Sequence, residues 1–115
     1  YDDAQGITAK FNLNILVRLN RELSANFDLA AFRHRAVWNH ERGRIEMNLV
    51  SIRNQRVRIA DLDLDIDFRQ DETIHTENCY KYSQPGMQSL LTRHGFQVLD
   101  HFSDPRDQFC LFLAS

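Results

Sequence analysis

Several things are scarce in this chain, and each scarcity narrows what it can be. Only two of its 115 residues are cysteines, Cys79 and Cys110, so a disulfide framework of the kind that staples small secreted domains is not expected. The four glycines (Gly6, Gly43, Gly86, Gly95) are scattered, which argues against a glycine-rich cradle for a phosphate or nucleotide. No apolar run approaches the ~20 residues that cross a bilayer. No excess of basic residues exists either: formal net charge is −2, without the positive footprint that nucleic acid or an anionic membrane would require. Residue 1 is Tyr, and nothing near it reads as a signal peptide. The expectation is a piece of a longer, cytoplasmic protein.

What the chain does have is the composition of a folded domain, 43% apolar and 26% charged, which argues against disorder. Apolar residues at helical spacing (Ile7, Phe11, Ile15, Leu16, Leu19, Leu23) predict an amphipathic helix over 7–23. Asp28 can cap one further turn at 29–32. The period then changes to two. Phe32, His34, Ala36 and Trp38 alternate with Arg33, Arg35 and Val37, and after a turn at 40–43 so do Ile45, Met47 and Leu49 with Glu46 and Asn48. Arg56–Ile59 and Leu62–Phe68 complete an expected four-stranded antiparallel meander over 32–69. Asp61, Asp63, Asp65 and Asp67 lie at strand spacing on one solvated face, not in a calcium loop. A short helix over 85–94 stops at Gly95, and strands at 96–99 and 109–113 join around Asp104-Pro105. The last strand is nearly all apolar, as if buried on both faces of a larger sheet; exposed, it predicts self-association. The fold class is α+β.

One stretch departs from this pattern. In Ile74-His75-Thr76-Glu77-Asn78-Cys79-Tyr80-Lys81-Tyr82-Ser83, every residue after Ile74 is polar, titratable or hydrogen-bonding. That excludes a core strand and points to a solvated loop or a binding site. His75-x-Glu77 is half of a zinc deaminase signature, but the P-C-x-x-C partner is missing, and no other histidine has ligand spacing, so no metal is expected. Cys79 and His75 are too far apart on a strand to form a nucleophile and base. Glu77 could accept a hydrogen bond from a ligand ring N–H, or it could pair with Lys81 or an arginine of the meander. The residues alone leave these two roles open. Asn12, Asn14 and Asn20 are an unusual load for a helix and could meet another domain or face water.

Two stretches, Tyr1-Asp2-Asp3-Ala4-x-Gly6-Ile7-Thr8-Ala9-x-Phe11-Asn12-x-Asn14 and Ile74–Ser83, resemble the histidine-specific, S-adenosylmethionine-dependent methyltransferases of ergothioneine biosynthesis. Asn20-Arg21-Glu22-Leu23, Phe32-x-His34-x-Ala36 and Arg44-Ile45-Glu46-Met47 extend the likeness, in one register, over essentially the whole chain. Members of that family trimethylate the α-amino group of L-histidine to give hercynine, with histidine bound between a Rossmann-type methyltransferase domain and a substrate-recognition domain. The resemblance implies that residues 1–81 belong to the substrate-recognition domain. Residues 82–115 would then be the last helix and β-hairpin of the methyltransferase sheet. It implies S-adenosylmethionine as cosubstrate, held by a part outside this chain, so that these 115 residues alone are inactive. It also implies that Tyr1 touches the substrate carboxylate, Met47 packs beside the imidazole, and Glu77 bonds a ring nitrogen. Cys79 stands where the family usually has Ser, and a thiol bonds more weakly and at longer range than a hydroxyl. That departure keeps another amino acid substrate, such as tryptophan, as an alternative; a non-enzymatic binding module is a separate second one.

Overall fold

The computed structural model describes all residues from Tyr1 to Ser115 and divides them into two compact units, Tyr1–Tyr80 and Lys81–Ser115. In the first unit, helix α1 (Ile7–Glu22) precedes strands β1 (Phe32–Asn39), β2 (Arg44–Ser51), β3 (Gln55–Ile59), β4 (Leu64–Phe68) and β5 (Thr73–Tyr80). Asp3 starts α1, its two carboxylate oxygens accepting the amides of Ile7 (3.0 Å) and Thr8 (2.9 Å). Those bonds, Thr8's the stronger, lower its pKa from the ordinary 3.8 to about 2. Asp28 caps the single turn Leu29–Ala31 by accepting the amide of Ala30, as its position in the sequence predicts.

The strands do not form one meander. β1 and β2 pair as an antiparallel hairpin, but β2's other neighbour is β5, giving the order β1-β2-β5; β3 and β4 form a separate two-stranded sheet. The expected meander fails because local alternation identifies strands without identifying their partners. β5 is the polar stretch itself. At the sheet edge it needs neither two apolar faces nor a second neighbour, so polar side chains are tolerated there. The strand expected from Leu62 begins only at Leu64, because Ala60–Leu62 is a 3-10 turn and Asp63 adopts a positive φ of 47°. All four aspartates are exposed, as expected, but Asp61 and Asp63 lie in and after that turn and not on the strand face; Asp63 and Asp65 pair with Arg58, and Asp67 with Arg56.

The core of this unit lies between α1 and the strands. Leu16 and Leu49 are fully buried with Val57, and Phe27, Phe32 and Phe68 meet edge-on or tilted at centroid separations of 5.4–6.4 Å. Asn20 ties α1 to this cluster, donating to the carbonyl of Phe27 (2.9 Å) and accepting its amide (2.8 Å). The apolar positions of α1 split into two stripes. Leu13, Leu16, Leu19 and Leu23 pack inward, whereas Ile7, Phe11 and Ile15 form a second, exposed stripe, with Phe11 70% exposed.

The second unit holds helix α2 (Gln84–Arg93), capped by Ser83 Oγ on the amide of Gly86, and the antiparallel hairpin of β6 (Val98–Ser103) and β7 (Cys110–Ala114). β6 runs later than the predicted 96–99 because backbone pairing extends through Asp100 and His101. Both units are thus α+β with small antiparallel sheets.

Candidate functional site: the open face of the β1-β2-β5 sheet

Strand register decides which side chains share a face. Across the sheet, Ala36, Met47 and Glu77 form one row, and Trp38, Ile45 and Cys79 form the next. The next row of the same face, His34, Leu49 and Ile74, lies toward α1. All four residues expected at a binding site lie in the first unit, and Met47, Glu77 and Cys79 project from this one face.

A bulge sets the aim of Glu77. Met47 pairs with Glu77 but its neighbour Asn48 pairs with His75, so Thr76 is the extra residue on β5. The Thr76 hydroxyl donates to the carbonyl of Met47 (3.0 Å), pinning the bulge. Thr76 and Glu77 therefore line one open groove of about 200 Å³ together with Phe11, Asn12, Ile15 and Arg18 of α1.

Glu77 is exposed at this groove. Four arginines of residues 32–69 pair with other carboxylates: Arg44 with Glu46, Arg53 with Asp28, Arg56 with Asp67 and Arg58 with Asp63 and Asp65. The Glu77 carboxylate is exposed where it lines the groove. Met47 is only 4% exposed and lies beneath the face as packing. Tyr1 reaches the same rows from the chain's beginning: its phenol oxygen lies 2.9 Å from the half-buried Cys79 sulfur, sharing a hydrogen bond. Tyr1's carbonyl lies 2.7 Å from Nε2 of His34.

The opposite face carries a polar cluster. Arg44 bonds Glu46 (3.0 Å) and the Tyr80 hydroxyl (2.6 Å), and its guanidinium lies over the Tyr80 ring. Asn39, then Arg44, holds the Glu46 carboxyl below its usual range. Every member has a partner there, which reads as structural. In the second unit a groove of about 290 Å³ is lined by Tyr82, Ser83, Gln84, Ser103 and Cys110 among others, and Gln84 already donates to Ser103.

Sequence reasoning missed Asn12 and His34 as parts of the site. Both signals were present: His34 occupies an inward position of an alternating strand, and Asn12 lies one turn before the buried Leu16. A polar residue at an apolar-face position usually has a buried partner. Asn12 and Asn20 find partners within the first unit, Asn12 in His34 and the Asn48 carbonyl and Asn20 in the backbone of Phe27, while Asn14 is exposed. The bulge at Thr76 has no sequence signal.

The whole chain, residues 1–115, matches the family described as "Histidine-specific methyltransferase, SAM-dependent". Among curated proteins, a histidine N-alpha-methyltransferase of Mycolicibacterium smegmatis is 46% identical over 114 residues, 99% of this chain. One of Mycobacterium tuberculosis is 42% identical over 115 residues. The chain spans 36% of the length of each.

Proposed function

This chain belongs to the histidine-specific, S-adenosylmethionine-dependent methyltransferase family, and we propose that it is the substrate-reading, C-terminal part of an L-histidine Nα-methyltransferase that makes hercynine. Residues 1–81 are the substrate-recognition part. Residues 82–115, with α2 and the β6–β7 hairpin, close the sheet of a Rossmann-type methyltransferase domain. The exposed apolar side chains Leu111 and Leu113 of β7 and Phe102 of β6 support this, since such surface calls for a covering partner. The enzyme acts in the cytoplasm, within ergothioneine biosynthesis, and takes a small amino acid as its substrate.

The observation that carries the reading is the exposed Glu77 carboxylate opposite Met47, next to the bulge at Thr76 and beside the Tyr1–Cys79 pair. Glu77 accepts the imidazole N–H, Met47 supports the ring from below, Tyr1 meets the substrate carboxylate, and Cys79 bonds through its thiol. S-adenosylmethionine supplies the methyl group. Gly6, Gly43, Gly86 and Gly95 sit at a helix start, a hairpin turn, a helix first turn and a helix end, which supports placing the cosubstrate on the remainder of the protein. No side chain here has to act as a nucleophile. Displacement by a neutral amine needs alignment, and this chain's task is to hold the ring so that the amine meets the methyl carbon in line.

The second reading, a larger ring such as tryptophan's indole, draws on the engagement of Cys79 with Tyr1, which occupies a group otherwise available to a ring nitrogen. Turnover of histidine, its mono- and dimethylated forms and tryptophan by the full-length protein tests both. Preference for histidine and its methylated forms supports the proposal; preference for tryptophan replaces it with the second reading. Turnover by the 115-residue chain alone would overturn the division of labour.

A further inference from the structure

Two side chains beneath the site are polar, nearly buried and bonded to each other. Asn12 of α1 is 5% exposed and His34 of β1 is 9% exposed. Asn12 Nδ2 lies 2.9 Å from His34 Nδ1 and donates to the carbonyl of Asn48 at 3.2 Å. His34 Nε2 lies 2.7 Å from the carbonyl of Tyr1.

These contacts fix one another's polarity. An amide NH₂ has two hydrogens, and here one goes to the Asn48 carbonyl. Turning the amide over would set its oxygen against that carbonyl, acceptor against acceptor. The NH₂ group therefore faces His34 Nδ1, which must accept. In the neutral ring the proton then sits on Nε2 and is donated to Tyr1. The order is Asn48 carbonyl, Asn12 amide, His34 ring, Tyr1 carbonyl, and every step is satisfied.

The anchor of this chain of bonds adjoins the bulge. The carbonyl of Met47 holds Thr76, and so directs Glu77; the next carbonyl, that of Asn48, holds Asn12. One peptide segment of β2 thus sets both sides of the site. We propose that Asn12 and His34 are positioning residues which, anchored on Asn48, hold Tyr1 at the substrate face in register with Glu77. The proposal rests on the reading of Tyr1 as a substrate contact.

Nitrogen NMR of histidine-labelled full-length protein tests the bonding. The expected result is His34 in the Nε2–H form, with Asn12→Asp driving it to carry a proton on Nδ1 as well. A wild-type ring protonated on Nδ1 overturns the proposal by itself. Kinetics test the role. His34→Phe is expected to raise KM for the amino acid about tenfold, the effect of one lost hydrogen bond, with KM for S-adenosylmethionine changed less than about twofold. His34→Gln, whose amide can still donate to Tyr1, is expected to recover most of that loss. In a Tyr1→Ala background His34→Phe is expected to add nothing to the amino acid KM. Equal losses for both substrates, or additive effects, overturn the positioning role. A Tyr1→Ala protein with an unchanged amino acid KM overturns the substrate reading of Tyr1 and the proposal with it, even where the tautomer is as expected.

Discussion

Glu77 stands directly across the β2–β5 pair from Met47, one residue past the bulge at Thr76. In an unbroken ladder Asn48 would face Thr76, and the side chains on either side of that point would alternate strictly. The extra residue lets Thr76 and Glu77 both line the groove beside α1. A Thr76→Val substitution keeps the shape but removes the hydroxyl that bonds the Met47 carbonyl. In the full-length enzyme it is expected to lower kcat/KM for the amino acid about tenfold, as one hydrogen bond would, and to leave KM for S-adenosylmethionine unchanged. Steady-state kinetics in both substrates checks this.

The contact between Tyr1 and Cys79 makes the thiol a tunable point. Cys79→Ser replaces it with a stronger hydrogen-bonding group of smaller radius. The expected outcome is a severalfold higher preference for histidine over tryptophan, on the order of the ~1 kcal/mol that a single neutral hydrogen bond contributes. A competition assay with both amino acids measures that ratio directly.

Asp3 starts α1 through two backbone amides, and these depress its pKa to about 2. A depressed carboxyl stabilises the folded state above its unfolded value of 3.8, and that contribution is lost as pH falls through about 2. Asp3→Asn is therefore expected to lower the thermal midpoint at neutral pH. The gap to the unsubstituted protein narrows as the pH drops from 3.8 toward about 2. Melting curves across that range check the sign.

Leu16 anchors α1 in the core at 1% exposure. Leu16→Ala is expected to destabilise the first unit by roughly 2–5 kcal/mol through lost burial and the cavity left behind. Phe11→Ala, on the exposed stripe of the same helix, is expected to change stability by less than about 0.5 kcal/mol. Chemical denaturation of both variants separates the two stripes.

These stripes show how far the sequence could be read. Helical spacing located α1 to within a residue, and Asp28, Ser83 and Gly95 stand at element boundaries for ordinary reasons of capping and positive φ. Spacing could not say that Ile7, Phe11 and Ile15 face outward while Leu13 and Leu16 face inward, because both stripes are apolar. Strand partners were unreadable for a related reason: β5 hides its strand character behind polar residues, so β4 looked like the natural continuation of the sheet. Glu77 stood out by its surroundings, but Tyr1, Met47 and Cys79 were reached through family resemblance. Asn12 and His34 needed the fold, since they lie 22 positions apart in the chain.

The most direct test of the account is Glu77→Gln in the full-length protein, assayed for methyl transfer to histidine. A carboxylate that accepts the imidazole N–H predicts a fall in kcat/KM of roughly 10–100-fold, the range for a lost hydrogen bond to a charged group, with S-adenosylmethionine binding intact. Histidine kinetics unchanged by the substitution would contradict it.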